Sequence, residues 1–418
     1  MKRIMINDIC EVYDGPHATP TKTEKGPVYL GIDAITEDGM LDETRFSHLS
    51  EDDYYKWTKR IIPQKNDIVF SYEATLGRYA MIPEDFYGCL GRRLAIIRNV
   101  SDRINTKWLY YYFKSPEWTG FIKNQTVKGS TVDRISIEDF PQYTVPLIPI
   151  HNQNKIVDVL DKIDCKIVNN RKINDYLEEM AKTIYDYWFV QFDFPDENGK
   201  PYKSSGGKMV WNDKLNLQIP NTWQSTELSS YGKIISGGTP STENEDFYAD
   251  DGIAWITPND LSNNTSNMFI SHGERDISLQ GLNNSSANLI PSSSILLSTR
   301  APIGYIAVSM NELTTNQGFK TLVPNDTDNT SFLYYLIKRN IPYLEQMGTG
   351  TTFKEVSKDS MEHLTVILPS DNILAHFFQK IKPYIMLRKS YEQETKKLIS
   401  IRNWLLPIVM NGQATIED

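Results

Sequence analysis

Apolar residues return at steps of three and four over two long stretches of the chain. Elsewhere they gather into short β-branched or aromatic runs. The first stretch holds Ile156, Val159, Leu160, Ile163, Ile167, Ile173, Leu177, Met180 and Ile184. Such steps lay one apolar stripe along a helix. Asn170 falls in the stripe, as register-setting polar residues do in coiled coils. An ordinary amphipathic helix lying on a core would also give this series. A second series changes the balance: Phe377, Ile381, Tyr384, Arg388, Tyr391, Thr395, Leu398, Arg402 and Leu405 keep a 4–3 spacing. Its seam is less apolar, so it needs a partner, and the first helix is the obvious one. About 35 residues of such a helix span roughly 50 Å.

The short runs predict strands. IVFSYEA, YAMIP, LAIIRNV and YTVPLIPI are bounded by Gly, Pro, Asn or Asp, as strands between turns are. A helical pattern, Trp108 to Lys123, is inserted among them. The same series recurs later. WLYYYFKS from Trp108 matches FLYYLIKR from Phe332, and GSTVDRISIEDFPQYTVPLIP from Gly129 matches GTTFKEVSKDSMEHLTVILP from Gly350. Ile61 to Ile82 aligns with Leu289 to Ser309, and VYLGIDAI from Val28 with IAWITPNDL from Ile253. Four blocks in one order, roughly 220 to 228 positions apart, indicate a duplicated unit.

The expected architecture is α+β. Two globules of short strands with inserted helices, residues 1–150 and 225–370, are joined by two long helices, 151–192 and 371–411. Residues 193–224, rich in Gly, Pro, Asn and Ser, read as a linker that turns the chain back. If the helices pair antiparallel, the globules fall at opposite ends of a rod, related by a pseudo-two-fold.

Charge modifies this picture unevenly. The 418 residues carry 44 Lys+Arg against 53 Asp+Glu, a net of -9. At face value that opposes a protein coated in basic charge for nucleic acid. Residues 1–150, however, hold 19 basic against 21 acidic groups, and residues 225–370 hold 8 against 16. The first globule is therefore nearly balanced. Cys10, Cys89 and Cys165 lie far apart and are odd in number. They form no disulfide framework and no zinc spacing. No secretory leader and no apolar run of membrane-spanning length is present, so a cytoplasmic protein is expected.

Catalytic patterns are missing. There is no G-x-x-x-x-G-K-[ST], no H-E-x-x-H, no G-x-S-x-G and no Asn/Asp-Pro-Pro-aromatic sequence of an amino-methyltransferase. The six histidines form no cluster, so no metal is expected. Pro195-Asp196 with Glu197 and Lys200 does not match a nuclease spacing. Ser236-Gly237-Gly238-Thr239-Pro240 reads either as a β-turn leading into the globule or as a loop touching a phosphate.

The stretch YDYWFVQFDFPDENGKPYKSSGGKMV, Tyr185 to Val210, followed by Ile219-Pro220 and Trp223, resembles the central conserved region of the DNA-specificity subunits of type I restriction-modification systems. SGGTPS from Ser236, STRAPIG from Ser298 and Asn316-Gln317-Gly318 resemble recurring landmarks of that family's target-recognition domains. The first copy departs from them, with DGPHATP at Asp14 and FSYEATLGR at Phe70. The resemblance covers essentially the whole chain. It implies a non-catalytic subunit in which each globule reads half of a split double-stranded DNA target. The paired helices would act as a ruler. Two modification subunits would supply S-adenosylmethionine and adenine-N6 methylation. Restriction subunits would bring ATP- and Mg-dependent translocation and cleavage. No cofactor is expected on this chain itself.

Phosphate contacts call for Lys, Arg or small donors, and base reading for Arg, Lys, Asn or Gln. In the first globule the candidates are Arg78, Arg92, Arg93, Lys128, Ser130, Thr131 and Arg134. In the second they are Thr239, Arg300, Asn316, Gln317, Lys320, Thr351, Thr352 and Lys354. Each charged candidate could equally be a solvated surface group. Asn316 and Gln317 could instead cap a strand end. Trp188, Phe189 and Trp404 read as packing rather than base-stacking residues. Two rival readings remain: the recognition portion of a single-chain restriction-methylation enzyme, and an acidic DNA mimic. The first requires methyltransferase motifs, which are missing. The second predicts faces of carboxylates, whereas the first globule interleaves Arg92, Arg93 and Arg98 with its β runs.

Overall fold

The computed structural model describes residues 2–128, 132–349 and 354–413. Contacts divide the chain into two compact units. One comprises Met1–Lys166 with Leu398–Asp418, the other Ile167–Lys397.

In the first unit Ile68–Ser71 is the centre of an antiparallel sheet ordered Cys10–Asp14, Leu94–Asn99, Ile68–Ser71, Tyr79–Met81. All four of its residues are buried. This explains why the sequence shows a continuous apolar run rather than alternation. A second sheet places Thr23–Leu30 between Ser47–His48 and Gly88–Leu90. Arg3–Met5 pairs with Thr144–Pro146. The helical stretch predicted over Trp108 to Lys123 breaks into Thr106–Phe113 and Pro116–Gln125. Ser115 caps the second piece, accepting the Trp118 N–H at 3.3 Å, and Pro116 takes the first helical position. There its missing N–H costs nothing. Trp118 is fully buried and donates its indole N–H to the Tyr79 hydroxyl at 2.8 Å.

The second unit repeats the plan. A five-stranded sheet is ordered Gly232–Ser236, Phe319–Pro324, Ile295–Thr299, Ile303–Ser309, Phe269–Ile270. Ile295 faces Leu322 and Ser298 faces Phe319, in the register by which Ile68 faces Ile97 and Ser71 faces Leu94. The counterpart of the broken helix is continuous, Thr330–Met347. Part of the stretch between residues 193 and 224 is packed. Phe194 stacks between Tyr202 and Trp223, with ring centroids 4.8 and 5.0 Å away. Met209–Asn212 and Leu217–Pro220 form a hairpin. Buried Asp193 accepts the Ser204 N–H at 2.7 Å and its hydroxyl at 2.6 Å.

The two long helices are Ile150–Phe189 and Asp371–Met410. Within the second unit they pair antiparallel. Asn170 donates to Glu394 at 2.8 Å, Glu178 meets Arg388, and Tyr185 and Trp188 meet the Phe377 ring. Asn170 is fully buried in the seam. Past Leu177, however, the seam runs through Ala181, Tyr185 and Trp188, while Met180 is 47% exposed. A straight helix drifts by about 20° per heptad relative to a strict 3.5 repeat, which carries Met180 off the contact line. Phe189 is buried, but Trp404 stands 67% exposed and does not pack.

Each unit fastens its globule to the helices by the same device. In the first, Asp164 accepts the Tyr111 hydroxyl at 2.8 Å and Arg402 at 2.8 Å. In the second, Glu178 accepts the Tyr335 hydroxyl at 2.8 Å, Lys338 at 2.6 Å, and Arg388. Tyr111 and Tyr335 occupy the same place in the repeated WLYYYFKS and FLYYLIKR blocks. In the second unit Glu392 adds a clasp, accepting the N–H groups of Met268 and Phe269 at 2.8 and 2.9 Å.

Candidate nucleic-acid interface

At one edge of the first unit's sheets, two turns meet: residues 72–78 after Ile68–Ser71, and Gly91-Arg92-Arg93 before Leu94–Asn99. Four backbone hydrogen bonds fix them: Gly15 N–H to Leu94 O at 2.8 Å, Gly91 to Leu30 at 2.8 Å, Tyr72 to Arg93 at 3.2 Å, and Ile135 to Tyr72 at 2.7 Å. Inside the first turn the Ser71 hydroxyl donates to Thr75 O and accepts the Arg78 N–H. Ala74 and Gly77 take left-handed backbone there.

These turns bring Arg78 beside the adjacent pair Arg92 and Arg93. Arg78, Arg92 and Arg93 line one open concavity with Arg45, Thr19, Tyr29, Asp33 and Thr75. Three of its guanidinium groups are already held. Arg78 donates to Ile35 O at 2.9 Å and lies 3.6 Å from Glu37. Arg93 is 3.2 Å from Glu73, and Arg45 is 3.0 Å from Asp42. Arg92 differs. Its side chain is exposed and, among the described residues, without a partner, while its backbone N–H donates to the Tyr29 hydroxyl at 3.1 Å. Arg45, Tyr29 and Thr19 were not legible as neighbours of this site. Tyr29 and Arg45 arrive from the other sheet and a single capped turn, Glu43–Arg45, and no local pattern marks them.

The second unit builds the same pair of turns. Gly237 N–H donates to Phe319 O at 3.3 Å, Asn316 to Ile256 at 2.9 Å, Thr299 to Gly318 at 2.8 Å, and Val356 to Thr299 at 3.0 Å. The Ser298 hydroxyl donates to Pro302 O at 2.9 Å and accepts the Tyr305 N–H at 2.8 Å. Ala301 and Gly304 are left-handed, as Ala74 and Gly77 are. These matches equate Asn316 with Gly91 and Gly318 with Arg93, and so Gln317 with Arg92. Gln317 is exposed, and its side-chain oxygen accepts the Thr239 hydroxyl. Asn316 acts as a cap, its side-chain oxygen accepting the Gly318 N–H at 2.9 Å.

The remaining candidates distribute as follows. Arg134 and Lys128 are exposed beside the first turn, and Arg134 bridges backbone to both Glu73 and Val127. Arg300 and Lys354 are exposed in the second unit, where Arg300 bridges to Glu355. The bridge is conserved in place but inverted in charge: Glu73 with Arg134 in one unit, Arg300 with Glu355 in the other. Lys320 is only 7% exposed and faces Glu355 at 3.4 Å, so it is no surface cation. Its strand position directs the ammonium inward, where the carboxylate compensates its burial. Ser130, Thr131, Thr351 and Thr352 lie outside the described residues. Among the described residues no group of three or more His, Cys, Asp or Glu is placed to hold a metal ion. No described helix is long and apolar enough to cross a membrane.

Comparison with known proteins agrees with this duplication. The family model described as the type I restriction modification DNA specificity domain matches twice, over residues 1–179 and 220–398. The chain is similar to the HindI type I restriction enzyme specificity subunit of Haemophilus influenzae, 26% identical over 402 residues, covering 84% of this chain and 87% of that protein. It is similar to the MjaIX specificity subunit of Methanocaldococcus jannaschii, 33% identical over 201 residues, or 45% of each. Among solved structures, the type I restriction-modification S subunit from M. genitalium shares the fold, with a TM-score of 0.55 at 15% identity over 98% of this chain and 95% of that one.

Proposed function

The chain belongs to the type I restriction-modification DNA specificity family, and from that premise we propose that its two units each read one half of a split double-stranded DNA target. The observation that carries this reading is the twice-built pair of turns. Their backbone hydrogen bonds repeat, while the exposed residue at the tip differs: Arg92 in one unit, Gln317 in the other. A fixed frame with exchanged side chains is what two different half-sites require, because base edges are distinguished by donor and acceptor pattern. The chain contributes recognition and scaffolding. Two modification subunits dock on it and supply S-adenosylmethionine and adenine-N6 methylation. Restriction subunits add the ATP- and Mg-dependent activities. The two long helices set the number of base pairs between the halves.

The acidic balance fits a subunit that acts within such an assembly. Carboxylates sit beside three of the four arginines in the first unit's concavity. Long-range attraction to DNA therefore comes largely from the partner subunits. The test is an exchange. Replacing residues 1–150 with the corresponding part of another member of the family, in the assembled methyltransferase, alters one half of the methylated motif. A change in both halves refutes independent reading.

A further inference from the structure

The equivalence of Arg92 and Gln317 goes further than the existence of two half-sites. We propose that Arg92 reads a guanine in the half-site taken by the first unit, and that Gln317 reads an adenine in the half-site taken by the second. This rests on the reading of the chain as a two-part DNA recogniser.

A phosphate contact at this position would be independent of sequence, and one cation would serve in both copies. Instead, the four backbone hydrogen bonds of the turns repeat while a guanidinium is exchanged for a neutral amide. An amide brings no charge to neutralise a phosphate, whereas it can both donate and accept at a base edge. The hydrogen-bond inventory then selects the base. Arg92 offers only donors, in a planar fork, and the major-groove edge of guanine offers two acceptors, N7 and O6. Gln317 has an amide N–H to donate to adenine N7 and a carbonyl to accept from the adenine amino group. The Thr239 hydroxyl occupies one lone pair of that carbonyl and fixes the amide's orientation, leaving the second lone pair for the base.

Both side chains are presented from stiff backbone. The Arg92 N–H is held by the Tyr29 hydroxyl, and its neighbours Gly91 and Arg93 are each hydrogen-bonded to another segment. Arg93, held by Glu73, and Arg78, held at Ile35 and Glu37, frame Arg92 without competing for the same acceptors. Among the described residues, Arg92 is thus the arginine of the concavity whose guanidinium meets no carboxylate or carbonyl; Arg93 meets Glu73 through its Nε. Thr239 and Glu73 are positioning residues.

The experiment uses the assembled methyltransferase on a DNA library, with sequencing of methylated adenines. In the wild type, the half-site assigned to the first unit by exchange of residues 1–150 contains a guanine, and the other half contains an adenine read by Gln317. Arg92→Gln lowers discrimination for guanine at one base pair of the first half-site by about 5- to 150-fold, the worth of one bidentate pair. It leaves the second half-site unchanged. Arg92→Lys keeps the charge, loses the fork, and shows the same loss of discrimination. Gln317→Leu relaxes one A·T pair in the second half-site only. A first half-site without any G·C pair overturns the proposal. So does an Arg92→Gln enzyme that is uniformly weaker with unchanged base preference and is rescued by Arg92→Lys, because that is a phosphate contact. A wild-type motif that is not split in two would instead refute the underlying two-part reading, so the two failures are distinguishable.

Discussion

Removing the Glu178 carboxylate tests how the second unit's globule is fastened to the long helices. Glu178 accepts the Tyr335 hydroxyl, the Lys338 ammonium and the Arg388 guanidinium. Arg388 is 4% exposed, so Glu178→Ala leaves a buried cation whose remaining ion pair among the described residues is with Glu392, 3.1 Å away. Breaking a buried ion pair by removing one partner costs about 3–5 kcal/mol. The surviving Glu392 contact puts the expectation at the lower end, about 3 kcal/mol. For a domain of this size that is a fall in melting temperature of about 6–12 °C. The assay is thermal and urea unfolding of the full chain, with Glu178→Gln and the double variant Glu178→Met with Arg388→Met beside it. The double variant recovers most of the loss, because a buried pair and an apolar pair of similar volume are close in stability. Acid provides a second arm. Burial pushes the Glu178 carboxyl up, but Arg388 and Lys338 outweigh it and hold it below its ordinary value near 4.5. A depressed carboxyl stabilises the fold above the unfolded value and loses that contribution as pH falls through the folded one. The advantage of wild type over Glu178→Gln is therefore full at neutral pH and shrinks below about pH 4.5. A Glu178→Ala chain within about 1 kcal/mol of wild type refutes the lock.

Other consequences are checked separately. Inserting one heptad into each long helix, between Asn170 and Asn174 and between Tyr391 and Thr395, adds about 10 Å of helix. If the helices set the spacing, the gap between half-sites widens by about three base pairs; an unchanged gap counts against it. Lys128→Ala lowers the slope of log affinity against log salt by about one without moving any base preference; an altered motif would place Lys128 at a base. Trp118→Ala empties the first unit's core and orphans the Tyr79 hydroxyl, costing about 3–5 kcal/mol in urea unfolding. A loss under about 1 kcal/mol would contradict that packing. The purified chain with S-adenosylmethionine and DNA transfers no methyl group; turnover without partner subunits would contradict a scaffold role.

Much of this architecture was legible because repetition and periodicity are local signals. Of the 4–3 series in the second helix, Phe377, Ile381, Arg388, Thr395 and Arg402 are buried, while Tyr384, Tyr391, Leu398 and Leu405 are half-buried. In the first helix Ile156, Leu160, Ile167, Asn170 and Leu177 of the series are buried, but Val159, Ile163 and Ile173 are half-buried, and beyond Leu177 Ala181 makes the contact where Met180 has the stronger apolar signature. The helix break at Ser115-Pro116 was visible as a cap followed by a first-turn proline, but the apolar pattern ran straight across it. At the site, Arg78, Arg92 and Arg93, candidates from their clustered basic charge, lie in turns between β runs and line one concavity. Arg45 and Tyr29 were not legible there, because Tyr29 reaches the concavity from another sheet and Arg45 from a separate capped turn. Lys320 misled for the converse reason: its carboxylate partner, Glu355, belongs to a distant segment. The match of Arg92 to Gln317 needed the hydrogen bonds, because neither residue lies in a repeated block.

The most direct measurement is sequencing of methylated adenines in cells that carry this chain with its modification partners, set against cells that lack the chain. Two short, different half-sites separated by a fixed number of unspecified base pairs, with one methylated adenine in each half, is the predicted result. A continuous motif, or methylation that persists unchanged without the chain, would contradict the account.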